Sequence, residues 1–227
     1  MEGSRPPVIS DDMLAEDGGP GARIDFEKGM SYLPRITLYL IAVNVIVFGW
    51  ELATGALNGR EAIIAAGALE QQRVLAGQVW RLGSATFLHG GAEHLIGNMV
   101  MLYVVGVACE HALGWKQMGS VYAVSALAGS VLSTATSAGP SVGASGAVFG
   151  VMASVVTFLV KHRERVRLRD HRVALVLAVL IVYQMVQGMM TPYVDNMAHL
   201  GGTLGGVLAT LGLEPALFDR HDAPVAS

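Results

Sequence analysis

Between Lys116 and Lys161 the chain carries no Asp, Glu, Lys or Arg. A stretch this long without charge is too long for one bilayer crossing, which takes about 20 apolar helical residues. It breaks at the polar segment Ser133-Thr134-Ala135-Thr136-Ser137-Ala138-Gly139-Pro140, which divides it into spans near 117–134 and 145–160. Four further runs have the same character: Ile36–Trp50, with Glu51 at its far end, Leu95–Cys109, Val173–Val194 and Asn196–Leu213. The pattern predicts an all-α membrane protein of six spans. Composition agrees, with 52% hydrophobic residues, 15% charged, and 28 glycines and 11 methionines in 227 residues. A soluble domain is nearer a quarter charged. A net charge of −3 is of the wrong sign for nucleic-acid binding, and the lone Cys109 has no bridging partner within the chain.

Lys161, Arg163, Arg165, Arg167, Arg169 and Arg172 crowd the connection between the fourth and fifth spans. The excess of basic residues on cytoplasmic loops places that connection inside, and counting through six spans puts both termini inside as well. Residues 1–35 read as a mobile cytoplasmic tail, 36–213 as the transmembrane domain and 214–227 as a second cytoplasmic tail. The connection from about Leu57 to Gly91 is long and contains Ala62-Ile63-Ile64-Ala65-Ala66 and Trp80. Such loops carry structure of their own.

Spans two, four and six all run outside to inside, so their N-terminal ends share one depth. The polar residues unusual for a span sit at those ends: His94 and Asn98, Ser145, and His199. Span four has only 16 residues, about 24 Å of helix, so the loop before it is expected to dip inward and line a cavity. Gly146 and Gly150 on span four, and Gly202 and Gly206 on span six, repeat small residues at i and i+4. Two such faces packed together bring His199 to Ser145.

Ser145 then reads as a nucleophile with His199 as its general base, or both as close-packing polar residues. Asp195, four residues before His199, is either an orienting carboxylate or a helix-start residue. His94 and Asn98, on one face at i and i+4, are either donors to a developing oxyanion or interhelical hydrogen-bonding groups. The i, i+5 spacing of His89 and His94 is not that of a helical zinc site, so no metal is expected. Cys109, at mid-span, reads as a packing residue.

Trp80-Arg81, His89-x4-His94-x3-Asn98, Glu110, Gly143-Ala144-Ser145-Gly146 and Ala198-His199-x2-Gly202-x3-Gly206 stand in order on the predicted spans. Together they resemble the rhomboid family of intramembrane serine proteases, over about Ile36 to Leu213, in its bacterial six-span form. The resemblance implies a six-transmembrane-helix rhomboid bundle with a short central fourth helix and a structured first loop. It implies Ser145 as nucleophile and His199 as base, without cofactor, metal or nucleotide. His94, Asn98 and the Ser145 amide would form the oxyanion hole. Phe149 would support the His199 ring, and Gly143 and Gly146 would flank the nucleophile. Trp80, Arg81, His89 and Glu110 would be structural. It further implies single-span membrane proteins as substrates, in the cytoplasmic membrane. Lateral entry gated by span five and the loop before span six, with a hinge at Gly188 and Pro192, is expected in addition. The rival readings are a catalytically inactive rhomboid-like binder of membrane proteins and a small transporter. Transporters often show internal repeats, of which the chain has none beyond its glycine pairs.

Overall fold

The computed structural model describes residues 23–136, 139–170, 172–191 and 194–222, with side chains to residue 219. Among the described residues, five helices are long and apolar enough to cross a membrane, and a sixth is shorter. In chain order the long elements are α1 (Arg35–Thr54), α5 (Ala92–Leu113), α6 (Trp115–Thr136), α7 (Ser145–Lys161), α8 (Val173–Met190) and α9 (Asn196–Leu211). Between α1 and α5 the first loop folds into α2 (Arg60–Ala66), α3 (Gln71–Leu75), α4 (Arg81–Ser84) and a 3-10 turn at Ala85–Phe87.

Each apolar run of the sequence holds a helix, and the ends follow local chemistry. Gly55, at φ 73°, closes α1 in the left-handed conformation, its N–H donating to the Glu51 carbonyl. Gly114, at φ 84° and ψ 161°, ends α5 by turning the chain away from the helix, its N–H donating to the Glu110 carbonyl. The start of α1 is capped from another helix. Glu110 of α5 accepts the N–H groups of Ile36 (3.3 Å) and Thr37 (3.1 Å) and the Thr37 hydroxyl (3.0 Å). A carboxylate there satisfies orphan donors and meets the positive end of the helix dipole. Helix α8 ends at Met190, short of the expected Val194. Thr191, which precedes Pro192, is extended at φ −110° and ψ 113°, as residues before proline prefer. Pro192 itself lies outside the described residues, so only the Gly188 half of the expected hinge can be placed. Gly188 is buried in α8, tight against Val194 and Asn196.

Helix α7 is the axis of the bundle. Every residue from Gly146 to Val155 is buried, as are Phe158 and Leu159. Around it pack Leu102 and Val105 of α5 and Met118 and Val121 of α6. By contrast α8 buries only Ile181 and Gly188 and stands at the edge. Lipid is as apolar as these side chains, so helix association here rests on close packing rather than on burial from water. The closest packing is at glycine. A Cβ on Gly202 would collide with the Gly146 carbonyl, and one on Gly206 with the Gly150 carbonyl. Gly201 and Gly129 hold α9 against α6 in the same manner.

Packed residues are found on both sides of 36–213 as well. Residues placed with the N-terminal tail are folded from Ile24 onward: β1 (Ile24–Asp25) pairs in parallel with β2 (Val166–Arg167), and Phe26 is buried. Residues 1–22 lie outside the described structure. On the C-terminal side, α10 (Ala216–Asp222) buries Leu217 and Phe218. Phe26, Phe158, His162 and Phe218 form one ring cluster, with centroids 4.9–6.0 Å apart between neighbours. Single apolar residues in polar segments leave no periodic signal, so a reading by run length passes over them. The basic connection packs against the same tail: Val166 is buried and Arg169 pairs with Asp25 at 3.5 Å.

The first loop is tied together by Arg81. Its Nη1 donates to the buried carbonyls of Ile64 and Ala68, 2.7 Å each, and Nε to Gln78 (2.8 Å). The guanidinium also lies 4.6 Å from the Trp80 ring centroid. Arg81→Ala is expected to cost about 2–4 kcal/mol, because two buried carbonyls lose a charged donor. Thermal unfolding in detergent reads this directly, and a melting point equal to the parent's would contradict it.

Candidate functional site

The loop before α7 is pinned to the first loop. Leu69 and Ser141 exchange backbone hydrogen bonds (2.9 and 2.8 Å), and the Gly143 N–H donates to the Ala85 carbonyl (2.9 Å). Gln71 donates to the Thr134 carbonyl at 2.8 Å. The chain is thereby held so that Ser145 opens α7. No side chain caps this helix start, so its first-turn N–H groups face the site.

Across from it, α9 begins at Asp195, whose carboxylate accepts the Ala198 N–H (2.9 Å) and the Ser133 hydroxyl of α6. Asp195 is therefore a helix cap tied to a neighbouring helix, and its carboxylate is not the partner of the His199 ring. The expected polar break at Ser133 is correspondingly late. Residues 133–136 continue α6, and Ser133 is buried. With α9 so anchored and its glycines seated on α7, His199 Nε2 lies 2.9 Å from Ser145 Oγ. The Phe149 ring stacks on His199 at 4.1 Å and 7°. His199 is buried and Ser145 half-buried. For Nε2 to accept the Ser145 proton, the ring proton must sit on Nδ1, which has no hydrogen-bond partner among the described residues.

His94 and Asn98 occupy one face of α5 beside Gly143. The Gly90 N–H reaches His94 Nδ1 at 3.4 Å; a neutral ring that accepts there carries its proton on Nε2. Gly143 sits at φ 127°, and a Cβ there would lie 2.8 Å from His94 Nε2 and 2.6 Å from Cε1. Only glycine lets the backbone come this close to the ring. Asn98 is buried, yet its Nδ2 is without a partner among the described residues. A buried amide donor left unpaired carries a free-energy cost, and a site that supplies its acceptor during a reaction removes it. A cavity of about 20 Å³, room for one water, lies behind Gly143 and Gly146, with the hydroxyl residues Thr86, Ser130 and Ser141 in its wall.

His89 does not join this group. It is fully buried, its N–H donates to both Glu51 oxygens at 3.1 Å, and burial, with His94 nearby, pulls its pKa down to about 4. Cys109 is buried within 3.7 Å of the Ser154 hydroxyl, away from Ser145. Among the described residues, no group of three or more His, Cys, Asp or Glu is placed to hold a metal ion. Sequence reasoning passed over Glu51 and Ser133 as participants. An acidic residue at the end of an apolar run was the available signal for the first; nothing in the local sequence marked the second.

Residues 76–215 match the Rhomboid domain. The chain belongs to the rhomboid family. It is an all-α rhomboid bundle and a multi-pass membrane protein. Among similar proteins, the rhomboid protease GluP of Bacillus subtilis is 31% identical over 180 residues, covering 79% of this chain and 35% of GluP. RHOMBOID-like protein 5 of Arabidopsis thaliana is 39% identical over 143 residues, 62% of this chain and 46% of that protein. The rhomboid protease AarA of Providencia stuartii is 28% identical over 202 residues, 78% of this chain and 71% of AarA. The chain thus spans well under two thirds of the length of the first two relatives.

Proposed function

We propose that this rhomboid is an intramembrane serine endopeptidase acting through Ser145 and His199. The observation that carries the reading is the 2.9 Å contact between Ser145 Oγ and His199 Nε2 at the open N-terminal end of α7. Ser145 Oγ attacks the scissile carbonyl while His199 Nε2 takes its proton. The oxyanion that forms receives hydrogen bonds from His94 Nε2, Asn98 Nδ2 and the Ser145 amide. His199 then protonates the leaving amine, giving an acyl-enzyme. A water that loses its proton to His199 attacks the ester, and collapse returns the serine. Phe149 keeps the ring in register through these transfers, a task a carboxylate performs in triads. Neutral partners suit the site, since a carboxylate beside the ring would be costly at membrane depth.

The substrates in this reading are single-span membrane proteins cut near their outer ends. They reach the site sideways past α8, which buries only two residues in the bundle. The basic residues between α7 and α8 support a cytoplasmic position for that connection and for both termini. The plant relatives carry the name RHOMBOID-like, and a catalytically inactive binder is the competing reading.

Purified protein in detergent, incubated with a model single-span substrate, decides between them. Cleavage, together with covalent labelling by a fluorophosphonate that Ser145→Ala abolishes, is the expected result. A folded parent that neither cuts nor labels would favour the binder. Asn98→Ala is expected to lower kcat by about 10²–10³ with an unchanged melting point, because Nδ2 has no partner to lose among the described residues. Loss of stability without loss of kcat would return Asn98 to a packing role.

A further inference from the structure

Among the described residues, Glu51 is the only acidic side chain that is buried. It sits in the last turn of α1, where the helix dipole is negative and a carboxylate is disfavoured, and in a helix long and apolar enough to cross a membrane. Such a group needs a reason to be there. The hydrolytic steps give it none.

Both Glu51 oxygens converge on one donor, the His89 N–H, at 3.1 Å each. The next N–H along the chain, that of Gly90, points to His94 Nδ1 at 3.4 Å. The two peptide units share the His89 Cα, so fixing the first restricts the orientation of the second. The His89 ring is held as well, with Nδ1 3.3 Å from the Phe87 carbonyl and its centroid 5.2 Å from that of the His94 ring, the two planes at 63°. Gly91, at φ 152°, then lets the chain turn at once into α5. A histidine that accepts at Nδ1 carries its proton on Nε2, and His94 Nε2 is the nitrogen beside Gly143.

We propose that Glu51 is a positioning residue for His94: by anchoring the His89 N–H it aims the Gly90 N–H at His94 Nδ1 and so keeps the ring proton on Nε2, where it can reach an oxyanion. The proposal rests on the reading of His94 as an oxyanion donor, and its test has a readout that does not depend on cleavage. In full-length protein with ¹⁵N-labelled histidine in detergent micelles, His94 is assigned by comparison with His94→Gln. Its ring is expected to show a protonated Nε2 and an accepting Nδ1. A proton on Nδ1 in the parent overturns the proposal whatever the activity.

Glu51→Leu removes the acceptor. It is expected to mix the His94 tautomers and to lower kcat about 10- to 100-fold, with KM within about twofold. Glu51→Gln keeps an acceptor oxygen and should restore the parental tautomer, with kcat between the two. A folded Glu51→Leu with parental His94 signals and parental kcat overturns the proposal. If Glu51→Leu does not fold, the parent and Glu51→Gln spectra decide it. A parent that shows the expected tautomer but cuts no substrate would count against the protease reading alone.

Discussion

Ser145→Ala and His199→Ala are each expected to reduce cleavage of a single-span substrate on the order of a thousandfold or more, and the double variant no further. The two groups act as one unit. Without the imidazole the hydroxyl keeps its proton, and without the hydroxyl nothing attacks. Stability should barely move for Ser145→Ala, while His199→Ala, which also gives up the stack on Phe149, should lose about 1 kcal/mol more. The pair shares one hydrogen bond of 2.9 Å in a half-open site, worth about 1 kcal/mol. The measurement is therefore a rate set against a melting point. If either variant retains a tenth of the parental rate, the dyad assignment is wrong. If both lose activity only by unfolding, Ser145 and His199 are packing residues.

Gly202→Ala should act through the fold instead. The added methyl would meet the carbonyl of Gly146, part of a helix backbone that has no rotamer through which to yield. Overpacking at an ordinary core site costs about 1–3 kcal/mol, and this position should exceed that because the neighbour is main chain. To relieve the clash, α9 has to move away from α7, and it takes His199 from Ser145. Melting point and fluorophosphonate labelling should fall together. Gly97→Ala is the matched control, since a Cβ there has nothing within 4 Å and both readouts should stay at parental values. Full labelling of a stable Gly202→Ala protein would show that glycine contact does not set the separation of the two side chains.

Glycine and charge were also the features most legible in the linear chain. A run without charge has to find an environment without water, and this holds wherever the run sits. Hence each apolar stretch from Ile36 to Leu213 corresponds to a helix, with ends a few residues off. Small residues at i and i+4 belong to one helix face by geometry alone, so the faces that bring His199 toward Ser145 could be read without coordinates. The positions of His94 and Asn98 were legible for the same reason.

Contacts between segments far apart in sequence were not legible. Ser133 looked like part of a loop, yet it is a buried helical residue holding Asp195, 62 positions away. Glu51 looked like the end of a span, yet it grips the backbone of His89. Phe26 and Phe218 looked like residues of loose tails, yet both rest on Phe158. Periodicity and run length by themselves determined that this chain is helical and membrane-spanning, and which polar residues lie at one depth, because those properties depend on neighbours within a turn or two. Which carboxylate meets which donor, and which tail residues pack on the bundle, came from the three-dimensional arrangement alone. Such pairs depend on how separate helices lie against one another, and a single residue has no local pattern from which that can be read.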